Sequence, residues 1–295
     1  MKTKLCFIGD KRQQIYKWRG ASDSFALFQN RPNVKTLPMN ISQRCSVAVC
    51  NDANSIFEEN PIQAKDTAKA GSVSNCDTQH MMDNVKVGDF ILCRTNSPLV
   101  TLCWKLIRNK IAARILGKDI GYGLISLLNE AIKDNKTEDL SILAQAIFNT
   151  SRETAKLLNA TEKELQAENT LDRADCLIIF FEGSKTVAEV KDKINYVFTD
   201  ETCNTVILST VHKIKGSEAN TVYIIKPEIL KHPKGNPEEE KCIAFVAITR
   251  AKENLYYVAS PIASDKAQKT DLHSQLEKVL DDAEIDYESN ISLEV

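Results

Sequence analysis

Lys4-Leu5-Cys6-Phe7-Ile8-Gly9 is an unbroken apolar run ending in glycine. A strand of that kind belongs inside a parallel sheet, where both faces are covered. The pattern recurs: Val34–Leu37, Asp89–Cys93, Ala112–Leu116, Thr205–Ser209, Thr221–Ile225 and Asn254–Ala259 read as further short strands. Helical stripes lie between them. Ser46–Phe57 carries apolar residues at 47, 49, 50, 53, 56 and 57. Ser97-Pro98 opens a second helix with proline at its first position, and a third runs from about Pro237 to Ala247. Strand and helix alternate, so the expected fold class is α/β around a parallel sheet with helices on both faces.

Three stretches break the alternation. A short helix is expected near Ser22–Phe28, before Pro32, and residues 60–84 read as a loop rich in Pro, Gly, Ser, Asn and Asp. Residues 120–199 change character: apolar spacings of three and four at 124–131, 140–147, 174–181 and 187–197 predict a helical insertion, with Gly183 stopping one helix. The tail after 265 reads as a polar helix and a frayed end. The expected boundaries are 1–30 as the end of one sheet domain, 31–116 plus 200–265 as a second, 117–199 as the insertion, and 266–295 as the tail.

Composition narrows the partners. The net charge is −2 and hydrophobic residues make up 43% of the 295, enough for one or two cores but not a basic coat for nucleic acid. Any DNA contact must come from a local track. No apolar run is long enough to span a bilayer, and the start does not resemble a signal peptide. The nine cysteines include no C-x-x-C pair. They read as free thiols in a reducing cytoplasm, with no metal site expected.

The chemistry-bearing residues follow the strands. After Ile8 comes Gly9-Asp10-Lys11-Arg12-Gln13-Gln14-Ile15-Tyr16-Lys17-Trp18-Arg19-Gly20-Ala21. A sheet's carboxyl edge is where phosphate chemistry is usually placed, and a glutamine there can hydrogen-bond a γ-phosphate and an attacking water. Tyr16 and Trp18 offer flat faces to unpaired bases, worth ~1–3 kcal/mol each whatever the base. Arg19 can grip a phosphate with two bonds. The plainer alternative makes Tyr16 and Trp18 core aromatics and Arg19 a surface charge. Taken as a whole, the segment resembles motif III of UvrD/Rep-type superfamily 1 DNA helicases at all nine fixed positions.

Four further segments resemble that family's motifs, in its order. Thr36–Cys45 is similar to motif IV, and Arg44 falls where the family has an arginine that reaches the γ-phosphate. Gln43 departs from the tyrosine that stacks on adenine there. Arg94-Thr95-Asn96 after Ile91–Cys93 is similar to a turn that touches single-stranded DNA; an ordinary strand-to-helix cap is the alternative. Thr210-Val211-His212-Lys213-Ile214-Lys215-Gly216-Ser217-Glu218 matches motif V at its five fixed positions. There the resemblance assigns Thr210, His212 and Lys215 to the DNA backbone and Glu218 to the nucleotide ribose. Glu238–Ala251 resembles motif VI, with Arg250 as a second arginine finger beside Arg44.

Taken together, the resemblance implies a RecA-like, P-loop NTPase-type fold with a helical insertion. It gives Gln13, Arg44 and Arg250 catalytic roles, and Gln13, Arg44, Glu218 and Arg250 nucleotide contacts. Tyr16, Trp18, Arg19, Arg94, Thr95, Asn96, Thr210, His212 and Lys215 become DNA contacts. No G-x-x-x-x-G-K-[ST] occurs, and Gly183-Ser184-Lys185-Thr186 lacks both the Gly-Lys step and a preceding strand. ATP and Mg²⁺ are therefore expected to bind only when a polypeptide carrying the N-terminal helicase half completes the site. Strand 4–9 is expected to pair with that partner's sheet. The implied activity is a 3′-to-5′ helicase or translocase on single-stranded DNA, inactive as an isolated chain. The rival readings are a non-catalytic DNA-binding or regulatory relic and a truncated product without a role.

Overall fold

The computed structural model describes residues 5–17, 20, 31–161, 163–200, 204–230 and 235–259. It divides into two compact units, Met1–Arg94 with Asn204–Ser260 and Thr95–Cys203 with Pro261–Val295. The first unit opens with β1 (Ile41–Ser42), α1 (Val47–Asn54), β2 (Gln63–Ala64), β3 (Ser72–Cys76), α2 (Thr78–Asn84) and β4 (Phe90–Cys93). The second holds α3 (Ser97–Arg108), β5 (Ala113–Leu116), α4 (Lys118–Asn135), α5 (Leu140–Ala160), α6 (Glu164–Ile179), α7 (Val187–Val197) and β6 (Phe198–Thr199). The chain then returns to the first unit for β7 (Val206–Thr210), β8 (Ala219–Ile225), α8 (Pro237–Ile248) and β9 (Ala251–Val258).

In the first unit the sheet runs β3-β9-β8-β4-β7, and every neighbouring pair is parallel. Every residue of β4 and β7 is buried, as continuous apolar strands covered on both faces must be. Ile91, Leu92, Leu208, Val222, Ile224 and Leu255 are fully buried; each contributes about 1.5–3 kcal/mol of transfer free energy. Helix α8 forms where its sequence invites it. Asn236 accepts from the Glu238 and Glu239 N–H groups, Pro237 takes the first turn, and three glutamates face the positive helix end. From Cys242 to Ile248 the helix is buried throughout.

The second unit is helical, with β5 and β6 as a parallel pair. Its helices are capped from their own sequence at two points: Asp139 accepts from the Ser141 and Ile142 N–H groups, and Thr186 from Glu189. Gly183 follows α6 at φ +62°, a left-handed conformation suited to glycine. No described helix is long and apolar enough to cross a membrane.

The architecture is the expected α/β one, with four local departures. Leu5–Asp10 forms no strand: Leu5, Phe7 and Ile8 are 77%, 55% and 84% exposed, and no strand among the described residues pairs with them. Val34–Leu37 is likewise irregular, with Leu37 71% exposed. The expected loop at 60–84 contains β2, β3 and α2. Strand β9 spans Ala251–Val258, beginning three residues before the apolar run predicts. The helix expected at 22–28 and the tail helix after 265 lie outside the described residues.

Candidate functional site

All the residues assembled here belong to the first unit, except Thr95 and Asn96. Parallel strands put all carboxyl ends on one side of a sheet. Arg94 follows β4 and Thr210 closes β7 at that side, whereas Glu218 precedes β8 and Arg250 precedes β9 at the opposite side. The motif residues therefore do not share one sheet edge, as their positions after strands suggest. The segment 211–218 descends from one end to the other, and Gly216 makes the turn at φ +102°.

At the amino ends, Arg44, Glu218 and Arg250 come together. The Arg44 guanidinium pairs with Glu218 through Nε, and its Nη1 donates to the Thr249 carbonyl at 3.2 Å. Lys252 approaches the same carboxylate at 3.9 Å. Arg250 is 1% exposed. Its Nε donates to Val246 O (2.9 Å), Nη1 to Ser217 O (3.1 Å) and Nη2 to Thr249 Oγ1 (3.2 Å). Burial, then repulsion from Arg44, pull its pKa down to about 10. Arg250 stays charged at neutral pH, and the two guanidiniums feel one another. Near both is the buried Cys45 thiol, which reading by motif did not single out. The neighbouring Cys50 thiol, Ser42 and the two arginines draw its pKa down to about 7. Beside Arg44 opens a cleft of about 270 Å³ whose lining includes Gln43, Lys65, Thr67, Lys69 and Lys252.

A second group forms around 10–17. The Asp10 carboxylate caps a 3-10 turn, Lys11–Gln13, and pairs with Arg12 at 2.9 Å. This turn rests on α8: the Arg12 guanidinium lies 4.8 Å over the Phe245 ring, and Glu239 Oε1 accepts from the Lys17 N–H at 2.9 Å. Gln13 Nε2 donates to Asp10 Oδ2 (3.4 Å), and the Gln13 carbonyl accepts from Lys215 Nζ (2.8 Å). The Tyr16 hydroxyl donates to the His212 carbonyl (2.9 Å), with the two rings 6.0 Å apart and Lys215 Nζ 5.3 Å over the tyrosine. Gln13, Tyr16, His212 and Lys215 thus sit together, while Trp18 and Arg19 lie outside the described residues.

Other expected contacts are committed within the protein. Arg94 Nη2 pairs with Glu240 Oε1 at 3.4 Å. Thr210 is 8% exposed, and its carbonyl accepts from Ser209 Oγ and the Lys213 and Ile214 N–H groups. In the second unit, Asn96 bonds to Asp172 by its backbone N–H (3.0 Å) and side-chain amide (3.2 Å). The glutamates that open the 238–251 segment do more than favour a helix end: Glu239 holds the 10–17 segment and Glu240 holds Arg94. Acidic residues next to a cap carry no visible sign of their partners, so sequence alone could not find this.

Comparison with known proteins agrees with the motifs. Residues 124–260 match the family model of the UvrD-like helicase C-terminal domain. The chain is also 25% identical over 296 aligned positions to the Gabija protein GajB of Bacillus cereus (strain VD045), covering 88% of this chain and 58% of that protein. The chain therefore spans little more than half the length of that curated relative.

Proposed function

We propose that this chain, whose residues 124–260 match the UvrD-like helicase C-terminal domain model, is the C-terminal part of an ATP-dependent DNA helicase or translocase, working 3′-to-5′ on single-stranded DNA in the cytoplasm. The carrying observation is the convergence of Arg44 and Arg250. Two guanidiniums close enough for one to depress the other's pKa form a concentration of positive charge that a polyphosphate would relieve. That donor set fits nucleotide phosphates on one side only. Arg44 and Arg250 would meet the γ-phosphate, Glu218 a ribose hydroxyl, and Gln13 the phosphate and the attacking water. The phosphate-cradling loop and Mg²⁺ ligands would come from a polypeptide bearing the N-terminal helicase half. Bound ATP supplies the free energy of phosphoryl transfer; this chain's residues hold and orient. Tyr16, Trp18, Arg19, Arg94, Thr210, His212 and Lys215 would contact DNA, as would Thr95 and Asn96 of the second unit. Within this set, Tyr16, His212 and Lys215 sit with Gln13, the residue that would meet the γ-phosphate.

The test is reconstitution. The chain alone should show negligible ATPase. Mixed with a P-loop-bearing N-terminal half, it should show DNA-stimulated hydrolysis that falls by about 10³-fold in Arg44→Ala, the magnitude typical of an arginine finger. Robust ATPase from the chain alone would overturn the division of labour. Salt-dependent binding of single-stranded DNA with no ATPase on adding the half would mark a non-catalytic binding module instead.

A further inference from the structure

Helix α3 is not capped by its own sequence. Asn96 occupies the cap position at φ −89°, ψ −36°, and its side chain makes no capping bond. The N–H groups at the helix start turn to a single carboxylate on α6. Asp172 Oδ1 accepts from the Ser97 N–H at 2.9 Å, and Oδ2 accepts from both the Asn96 N–H (3.0 Å) and Asn96 Nδ2 (3.2 Å). Open N–H groups and the positive end of the helix both favour a carboxylate there. Two backbone bonds would suffice for that. The third bond does something a cap does not require: it holds the Asn96 side chain in one orientation.

We infer that Asp172 is a positioning residue for the Thr95–Asn96 turn, holding the Asn96 amide and the adjoining Thr95 ready for the unpaired strand of DNA. This rests on the reading of that turn as a DNA contact. It assigns to helix α6, in the helical insertion, a role in DNA affinity although none of its residues is placed on the DNA. A substitution at 172 then acts through Asn96, and the number of phosphates contacted does not change.

Fluorescence anisotropy of the full chain with labelled oligo-dT, across a salt series, tests this. Asp172→Asn should weaken binding about tenfold, about 1.4 kcal/mol, with the slope of log Kd on log salt unchanged, since that slope counts phosphate contacts. Asn96→Ala leaves both backbone bonds to Asp172 in place and should weaken binding comparably. The double variant should bind no worse than Asp172→Asn alone, a non-additivity that mere loss of stability would not produce. Should Asp172→Asn not fold by circular dichroism, Asp172→Glu should bind more weakly than wild type while Asn96→Ala adds nothing to it. Wild-type affinity in a folded position-172 variant, with Asn96→Ala weakened, overturns the inference and leaves the turn's contact standing. Wild-type affinity in Thr95→Ala and Asn96→Ala overturns the contact and the inference together.

Discussion

Arg44 and Arg250 are both proposed to meet the γ-phosphate, but their physical situations differ. The Arg44–Glu218 pair is 33% and 39% exposed, so solvent screens it, and losing it should cost less than about 1 kcal/mol of stability. Arg250 is buried and donates to two backbone carbonyls and a hydroxyl. Arg250→Ala leaves the Ser217 carbonyl unmet, leaves Val246 O with Thr249 Oγ1 alone, and opens a cavity, which should cost about 2–4 kcal/mol. Urea unfolding of the two variants checks this, and equal midpoints would refute it. Arg44→Ala is accordingly the cleaner probe of catalysis. Arg44 and Arg250 could be singled out in sequence because a fixed spacing of unlike residue types is improbable by chance. The contacts around them could not be: Cys45 near Arg250, Glu239 on Lys17 and Glu240 on Arg94 join positions some 200 or 150 residues apart.

Among the elements, the buried strands β4, β7 and β8 and the helix α8 could be read from apolar runs and caps. Strand β3 could not. It lies at the end of the sheet, and its sequence Ser-Val-Ser-Asn-Cys is polar because only β9 pairs with it in that sheet. Its apolar content is set by what covers it, which a local window does not contain. The chain enters β3 through Gly71 at φ +66°, where a Cβ would overlap Ser46 Oγ and the Glu253 carbonyl oxygen. Ser46 Oγ already donates to that carbonyl at 3.0 Å, so the head of α1, the start of β3 and β9 meet at this point. Gly71→Ala combines left-handed strain with an unavoidable clash. It should destabilise the chain by about 3 kcal/mol or more, visible as a lower thermal midpoint. The apolar run at 5–8 failed in the opposite way. It has strand-like residues, but no strand beside them among the described residues, and hydrogen-bonded pairing is what makes a strand.

At the scale of the whole molecule, the pH dependence of stability should be dominated by half-buried carboxyl groups of the helical insertion and not by surface charge, which nearly cancels at a net −2. Burial raises the Asp175 carboxyl from its ordinary 3.8 to about 6 against the opposing attraction of Arg152, and the same burial lowers Arg152. Desolvation thus outweighs the pair's attraction on both sides. The sign follows from proton counting. Between 3.8 and about 6 the folded chain keeps a proton that the unfolded chain has released. The site's contribution is full below the lower value and is lost as pH rises through the upper one. A shift of that size corresponds to roughly 2–3 kcal/mol. Asp172 is shifted the same way, chiefly by burial, and adds to the trend. Asp175→Asn has no proton to lose. Its stability relative to wild type should therefore improve by roughly 2 kcal/mol between about pH 4.5 and about pH 7.5, measured by urea unfolding at each. A difference that stays flat across that range would show that Asp175 and Arg152 remain a charged pair in the fold, with attraction the stronger force.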